Sequence, residues 1–143
     1  MSRIAKTAPD TTTPALTCPD CHATFEHGRW QWKETTLSGF RVCPACERMR
    51  DQSPAGVVTI EGAFPRSHRG AIMDRIRHLC DRAYLEQPLD RLMRIDEDDD
   101  IIRLATTSEH LARSIASALH ASWHGTLHVA PDAAGVPHIT WRC

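Results

Sequence analysis

Period-two alternation opens the larger part of the chain. In "GVVTIEGAF" (56–64), Val58, Ile60 and Phe64 share one face, which predicts a strand stopped by Pro65. From about Ser67 to Glu86 the apolar positions Ile72, Ile76, Leu79, Cys80 and Ala83 recur at helical spacing, and Pro88 follows the end. "RLMRI" (91–95) and "IIRLA" (101–105) are β-type runs around "DEDDD" (96–100), which predicts a hairpin with an acidic tip. Thr106 and Glu109 fit a T-x-x-E capping box ahead of the stripe Leu111, Ile115, Leu119, and Gly125 is the expected stop. "TLHVA" (126–130) and "VPHITW" (136–141) then flank "PDAAG" as a terminal hairpin. The order is β-α-β-β-α-β with an extra C-terminal strand. That pattern predicts an α+β fold of ferredoxin-like type, an antiparallel sheet with both helices on one face.

The first third of the chain has a different texture. Residues 1–16 are Thr/Pro-rich with no apolar signal core, and read as a disordered leader. A Cys-paired unit follows at 17–50, then a hinge, "DQSPAG" (51–56), and the α+β domain at 57–143. The expected organisation is thus a zinc ribbon followed by a ferredoxin-like domain.

The cysteines carry the clearest chemistry. Cys18-Pro-Asp-Cys21 and Cys43-Pro-Ala-Cys46 are two C-x-x-C pairs 21 residues apart. A two-residue gap lets a tight turn aim both sulfurs at one ion, and Pro pre-sets part of that turn. Two such turns, brought together by an intervening hairpin, predict one structural Zn2+ held by Cys18, Cys21, Cys43 and Cys46. Four thiolates close the coordination shell, leaving no open position for catalytic water. A C-x-x-C opening a helix after a strand would instead suggest thiol-redox chemistry. His22 and His27 lie close enough to substitute as ligands, though exposed polar positions suit them as well. Cys80 falls on an apolar stripe and reads as inert core.

Net charge changes the picture only locally. At −1 overall the chain is no polycation, with 7 basic against 6 acidic residues in 1–56 and 10 against 12 in 57–143. Any nucleic-acid surface must be a patch. Arg supplies 15 of the 17 basic residues, which reflects either base composition or the fit of its planar fork to phosphate. Between the Cys pairs, Trp30 and Trp32 share one face of a strand, beside Arg29, Lys33, Arg48 and Arg50. They either pack the ribbon onto the larger domain or offer a stacking platform for unpaired bases. Arg75, His78 and Arg82 recur along the first helix, with Arg66 and Arg69 near its start. On the sheet, Met93, Ile95, Ile102, Leu104, Leu127 and Val129 are expected to face the helices, leaving Arg94, Arg103 and His128 on the open side. No Ser/His/Asp set, carboxylate pair or phosphate-binding Gly loop stands out, so the expectation is a protein that is not an enzyme.

"CPACERMRDQSPAG" followed by a strand, and "TTSEHLARSIASALHASWHG" after a hairpin, resemble an uncharacterised bacterial zinc-ribbon family. That family is similar to the N-terminal part of the large-ribosomal-subunit export adaptor, the nonsense-mediated-decay protein three family. The resemblance spans 17–143 and implies binding to RNA or the large ribosomal subunit, with the four cysteines matching zinc ligands; six cysteines in two tight pairs plus two strays independently favour a reducing, cytoplasmic setting over a disulfide framework. Arg29, Trp30, Trp32, Lys33, Arg48, Arg50, Arg75, Arg82, Arg94 and Arg103 are the candidate RNA contacts. Two alternatives remain beside it. One is a protein-interaction adaptor presenting its Trp side chains to a protein partner; the other is a thiol-redox-responsive regulator. No run of about 18 apolar residues suggests a membrane span.

Overall fold

The computed structural model describes residues 15–33, 39–98 and 100–143. Nearly all of the expected leader lies outside the described residues, as does Asp99 of the acidic tip.

Two sheets organise the chain. The first is small, with strand order β3-β2-β1-β4 built from β1 (Leu16–Thr17), β2 (Thr24–Glu26), β3 (Arg29–Gln31) and β4 (Gly39–Phe40). β2 and β3 form an antiparallel hairpin, and β4 runs parallel to β1. Helix α1 (Pro44–Asp51) follows. The unit is therefore a knuckle, a hairpin and a helix, where a ribbon would have a second turn. Its second Cys pair opens α1.

The second sheet has five strands: β5 (Gly56–Glu61), β6 (Leu92–Glu97), β7 (Ile101–Thr106), β8 (Thr126–Pro131) and β9 (Pro137–Arg142). Three helices accompany it: α2 (Ala63–Ser67), α3 (Arg69–Glu86) and α4 (Glu109–Trp123). Inward residues Val58 and Ile60 of β5, Ile102 and Leu104 of β7, and Ile139 and Trp141 of β9 meet Ile72, Met73 and Ile76 of α3. Leu111, Ile115 and Leu119 of α4 complete this core. Gly56 makes the closest approach possible, since a Cβ there would stand 2.7 Å from the Cβ of Ala112 on α4.

The strand order is β6-β7-β5-β9-β8, and β9 is parallel to β5. The antiparallel sheet expected from the pattern is thus a mixed one, and the last strand is interior rather than appended. The reason is burial. A hairpin must place one strand inside, and β9 carries the fully buried Trp141 and Ile139. Leu127 and Val129 of β8 face the same way but remain 41% and 46% exposed at the sheet edge. A register shift between Leu92 and Arg94 also alters the inward row, so Leu92 rather than Met93 packs on the core. Ile95, Ile102 and Leu104 pack inward as expected, while Arg94, Arg103 and His128 are exposed.

Two local boundaries differ from the pattern. β5 ends at Glu61, and Pro65 sits inside the short α2 rather than terminating a strand. Thr106 closes β7; Ser108 is the N-cap of α4, its Oγ accepting from the amide of Leu111 at 3.0 Å. Pairing with Gly56 holds Thr106 in the sheet, so the next hydroxyl residue outside it caps the helix. The same Ser108 hydroxyl donates to Asp90 Oδ1 at 2.6 Å. Ser108→Ala is expected to lower stability by about 1–2 kcal/mol, read as a shifted urea midpoint with unchanged slope.

Candidate metal centre

The four cysteines converge because two local devices aim them. After β1, Cys18 enters a tight turn closed by Cys18 N–H to Ala23 O (2.9 Å) and His22 N–H to Cys18 O (2.9 Å). His22 takes a positive φ of 70° to complete it. On the other side, Cys43 is the N-cap of α1, with Pro44 pre-set at the first helical position. The Cys43 sulfur accepts from the amide of Cys46 at 3.4 Å, in the place of the usual cap oxygen. Cys43 N–H in turn donates to Cys18 Sγ at 3.4 Å, which ties the two devices together.

The four sulfurs all lie within 4.8 Å of one another, and Cys21 Sγ to Cys43 Sγ is 3.8 Å. Sulfurs arranged tetrahedrally at a metal–sulfur distance of about 2.3 Å stand about 3.8 Å apart. The cluster therefore fits one metal ion. Cys18, Cys43 and Cys46 are buried and Cys21 is half-buried. Burial pushes the Cys43 and Cys46 thiols up from their ordinary range. At Cys18 burial also opposes ionisation, but amide donors from Cys43, Cys21 and Asp20 more than offset it and bring the thiol down to about 7. A bound dication would reverse the penalty at Cys43 and Cys46. Among the described residues only the four cysteines form such a group; His22 and His27 are not in it.

Arg91, which no sequence signal marked, completes the environment. It lies just before β6, 45 residues from Cys46. Its guanidinium donates to Cys46 Sγ at 3.1 Å and to Cys43 Sγ at 3.5 Å. Its Nε donates to Pro88 O at 2.8 Å, and its Cζ sits 5.7 Å from the Tyr84 ring centroid. The backbone is locked by Thr107, whose Oγ1 accepts from Arg91 N–H at 2.8 Å while Thr107 N–H donates to Arg91 O at 2.9 Å. A cation from the larger domain is thereby seated against the metal-binding sulfurs.

The two tryptophans are both engaged. Trp30 is 7% exposed, in the small core with Cys18, Ala23 and Ala45, and its ring is 5.2 Å from that of Phe25. Trp32 reaches α3, donating Nε1–H to Tyr84 O at 2.6 Å with the rings 5.0 Å apart. Of the sequence alternatives for this pair, packing is the one these contacts serve. Most cations of the unit are engaged as well. Lys33 pairs with Glu26, Arg50 with Asp20 at 2.7 Å, and Arg48 donates to Ser53 O at 3.1 Å. Arg29 is exposed.

The remaining candidates fall on two other surfaces. Arg75 and Arg82 line one groove beside α3. Arg94 and Arg103 line a shallow hollow on the open side of the five-stranded sheet, with Pro54, Val57, Asp96, Asp132 and His138. Arg94 is shared between Asp96 at 3.0 Å and Gln52 Oε1 at 3.3 Å. Arg66 pairs with Asp100 at 2.8 Å, and Arg69 with Glu97 at 3.3 Å and with Asp98 O, so both serve to pin the acidic tip. Cys80 is buried in the main core, its thiol pushed up to about 11 by burial, as befits an inert position. No helix among the described residues is long and apolar enough to cross a membrane. Comparison with protein-family models, curated proteins and solved structures gives no match to this chain.

Proposed function

We propose that the metal is a structural Zn2+ and that the protein is a non-catalytic RNA-binding protein. Four sulfur ligands suit zinc, and their closed shell leaves the ion a structural role. The observation that carries RNA binding is the helix-free face of the five-stranded sheet. There Arg94, Arg103 and His138 line one hollow bordered by Pro54, with Asp96 paired to Arg94 and Asp132 to His138, so Arg103 is the cation left to a ligand. Arg103 makes no ion pair among the described residues, so its fork is free for phosphate. Thr59 and Thr140 pair across the same face as further hydroxyl donors. The ferredoxin-like reading of β5, α3, β6, β7 and α4 belongs with this proposal, as does the large ribosomal subunit as the source of RNA and a cytoplasmic setting. The element order supports the first, the resemblance noted in the sequence supports the second, and the two tight Cys pairs support the third. Contact through the sheet face replaces contact through Trp30 and Trp32.

The test is RNA binding and co-sedimentation with ribosomal particles over a salt series. Binding should weaken with rising salt, and Arg103→Glu should lower affinity about tenfold or more, the loss of a charge-assisted contact plus repulsion. Absence of binding at low salt, or an Arg103→Glu protein that binds like wild type, would sink the reading. A protein-interaction adaptor is the second reading, favoured by Phe40 of β4 and Leu85 of α3, which are 71% and 73% exposed. A partner retained after nuclease treatment and lost in Phe40→Ser would support it. A thiol-redox role has less support, because the helix-opening Cys43–Cys46 pair is shared with Cys18 and Cys21 in one shell.

A further inference from the structure

We propose that the groove between α3 and α4 is a binding site for a phosphorylated small molecule of nucleotide size. This goes beyond the RNA reading, which rests on the opposite face of the sheet. The groove measures about 670 Å3, within the range of small-molecule sites. Its floor is apolar, formed by Leu79, Ala83 and Leu89. Arg75, His78 and Arg82 recur along the α3 edge at one-turn and two-turn spacing, and His110 and Ser114 stand on the α4 edge one turn apart.

The charges in this groove are not alike. Glu86 faces Arg82 across 3.8 Å, an exposed pair that leaves both groups largely solvated. Asp90 is buried and fully occupied: Oδ1 accepts from Ser108 and Oδ2 lies 3.0 Å from His110 Nδ1. Capping of α4 explains Ser108 and Asp90. It does not explain Arg75 and His78, which are exposed and have neither an ion pair nor a hydrogen bond among the described residues. His110 differs from an ordinary surface histidine too. Its Nδ1 is tethered to a buried carboxylate, which fixes the ring and leaves Nε2 free for a ligand.

Phosphate is the group these donors match. A carboxylate presents two oxygens, which one Arg fork satisfies alone. A phosphomonoester presents three, and can take Arg75 and His78 from one wall with His110 or Ser114 from the other. The apolar floor then suits a planar organic body such as a nucleobase. Arg75 and Arg82, candidate RNA contacts in the sequence, are here the polar edge of a concave site.

The test is titration of the metal-loaded full chain with AMP, followed by amide shifts and calorimetry, with adenosine and inorganic phosphate as separate arms. AMP should shift amides within 75–90 and 108–114. Arg75→Ala and His78→Ala, both exposed positions, should each weaken AMP about tenfold, while Arg103→Glu should leave it unchanged. Adenosine binding as tightly as AMP would overturn the phosphate assignment, and inorganic phosphate binding as tightly would overturn the organic body. AMP that shifts no groove amide, or that binds Arg75→Ala and wild type equally, would overturn the site itself. Neither of those results bears on RNA binding, which Arg103→Glu tests separately.

Discussion

Stripping the metal with a strong chelator, or replacing Cys46 by Ser, should unfold residues 15–33 and 39–51 while the five-stranded sheet stays folded. The physical basis is the size of the small core. Apart from the sulfurs it holds Trp30, Ala23 and Ala45, with Phe25, Trp32, Val42 and Leu89 partly buried against it. A unit this small buries too little apolar surface to offset its conformational entropy. Structural zinc sites contribute about 10–16 kcal/mol of apparent binding free energy near neutral pH, and that free energy is folding free energy. In an amide spectrum the signals of 15–33 and 39–51 should collapse to narrow dispersion, and those of the five-stranded sheet and its helices should largely persist. Trp30 fluorescence should move to longer wavelength as the ring meets water. One zinc per chain should be released. Acidification should release it too, because each proton added to a thiolate competes with the ion. If quantitative metal removal left the signals of 15–33 and 39–51 in place, the proposed structural role of the metal would be wrong.

Arg91→Ala should have the next largest effect, about 2–4 kcal/mol, by removing hydrogen bonds to charged sulfur and the side chain that joins the two parts of the molecule. A tetrathiolate zinc site would carry two net negative charges, and the guanidinium at Cys46 and Cys43 would be the cation against them. Removing it leaves that charge less compensated on the buried side facing the larger domain. The contacts that depend on the same docking are Trp32 with Tyr84 and Gln52 with Arg94. The expected results are faster zinc loss to a colorimetric chelator and faster protease cleavage within 52–55, with the far-UV spectrum retained. Arg91→Lys should recover only part of this, since an ammonium keeps the charge but loses the fork. An Arg91→Ala protein with wild-type zinc release and wild-type cleavage would show that Arg91 is not a latch.

How much of this was legible in the sequence follows from the range of each interaction. The Cys pairs could be read because ligand convergence within each pair is a two-residue problem, solved by a turn or a helix start. Which of those two solutions applied to Cys43 and Cys46 was not legible. Pro-Ala suits a turn and a first helical turn equally, and the helix wins by continuing to Asp51. The capping residue was displaced by two positions because pairing to Gly56 holds Thr106 in β7, a long-range contact that the local motif does not contain.

By itself the sequence determined most elements of the larger part of the chain and, apart from Met93, most of their inward positions, because alternation and helical spacing state which side of each segment avoids water. It also paired the four cysteines at a spacing that suits one metal ion. Only the tertiary structure decided what those faces meet. It put β9 rather than β8 beside β5, since Trp141 and Ile139 bury more apolar surface than Leu127 and Val129. It sent Trp30 inward and Trp32 onto α3, and it carried Arg91 across the fold to the sulfurs. Those outcomes are competitions among distant surfaces for the same burial, and no window along the chain contains both competitors.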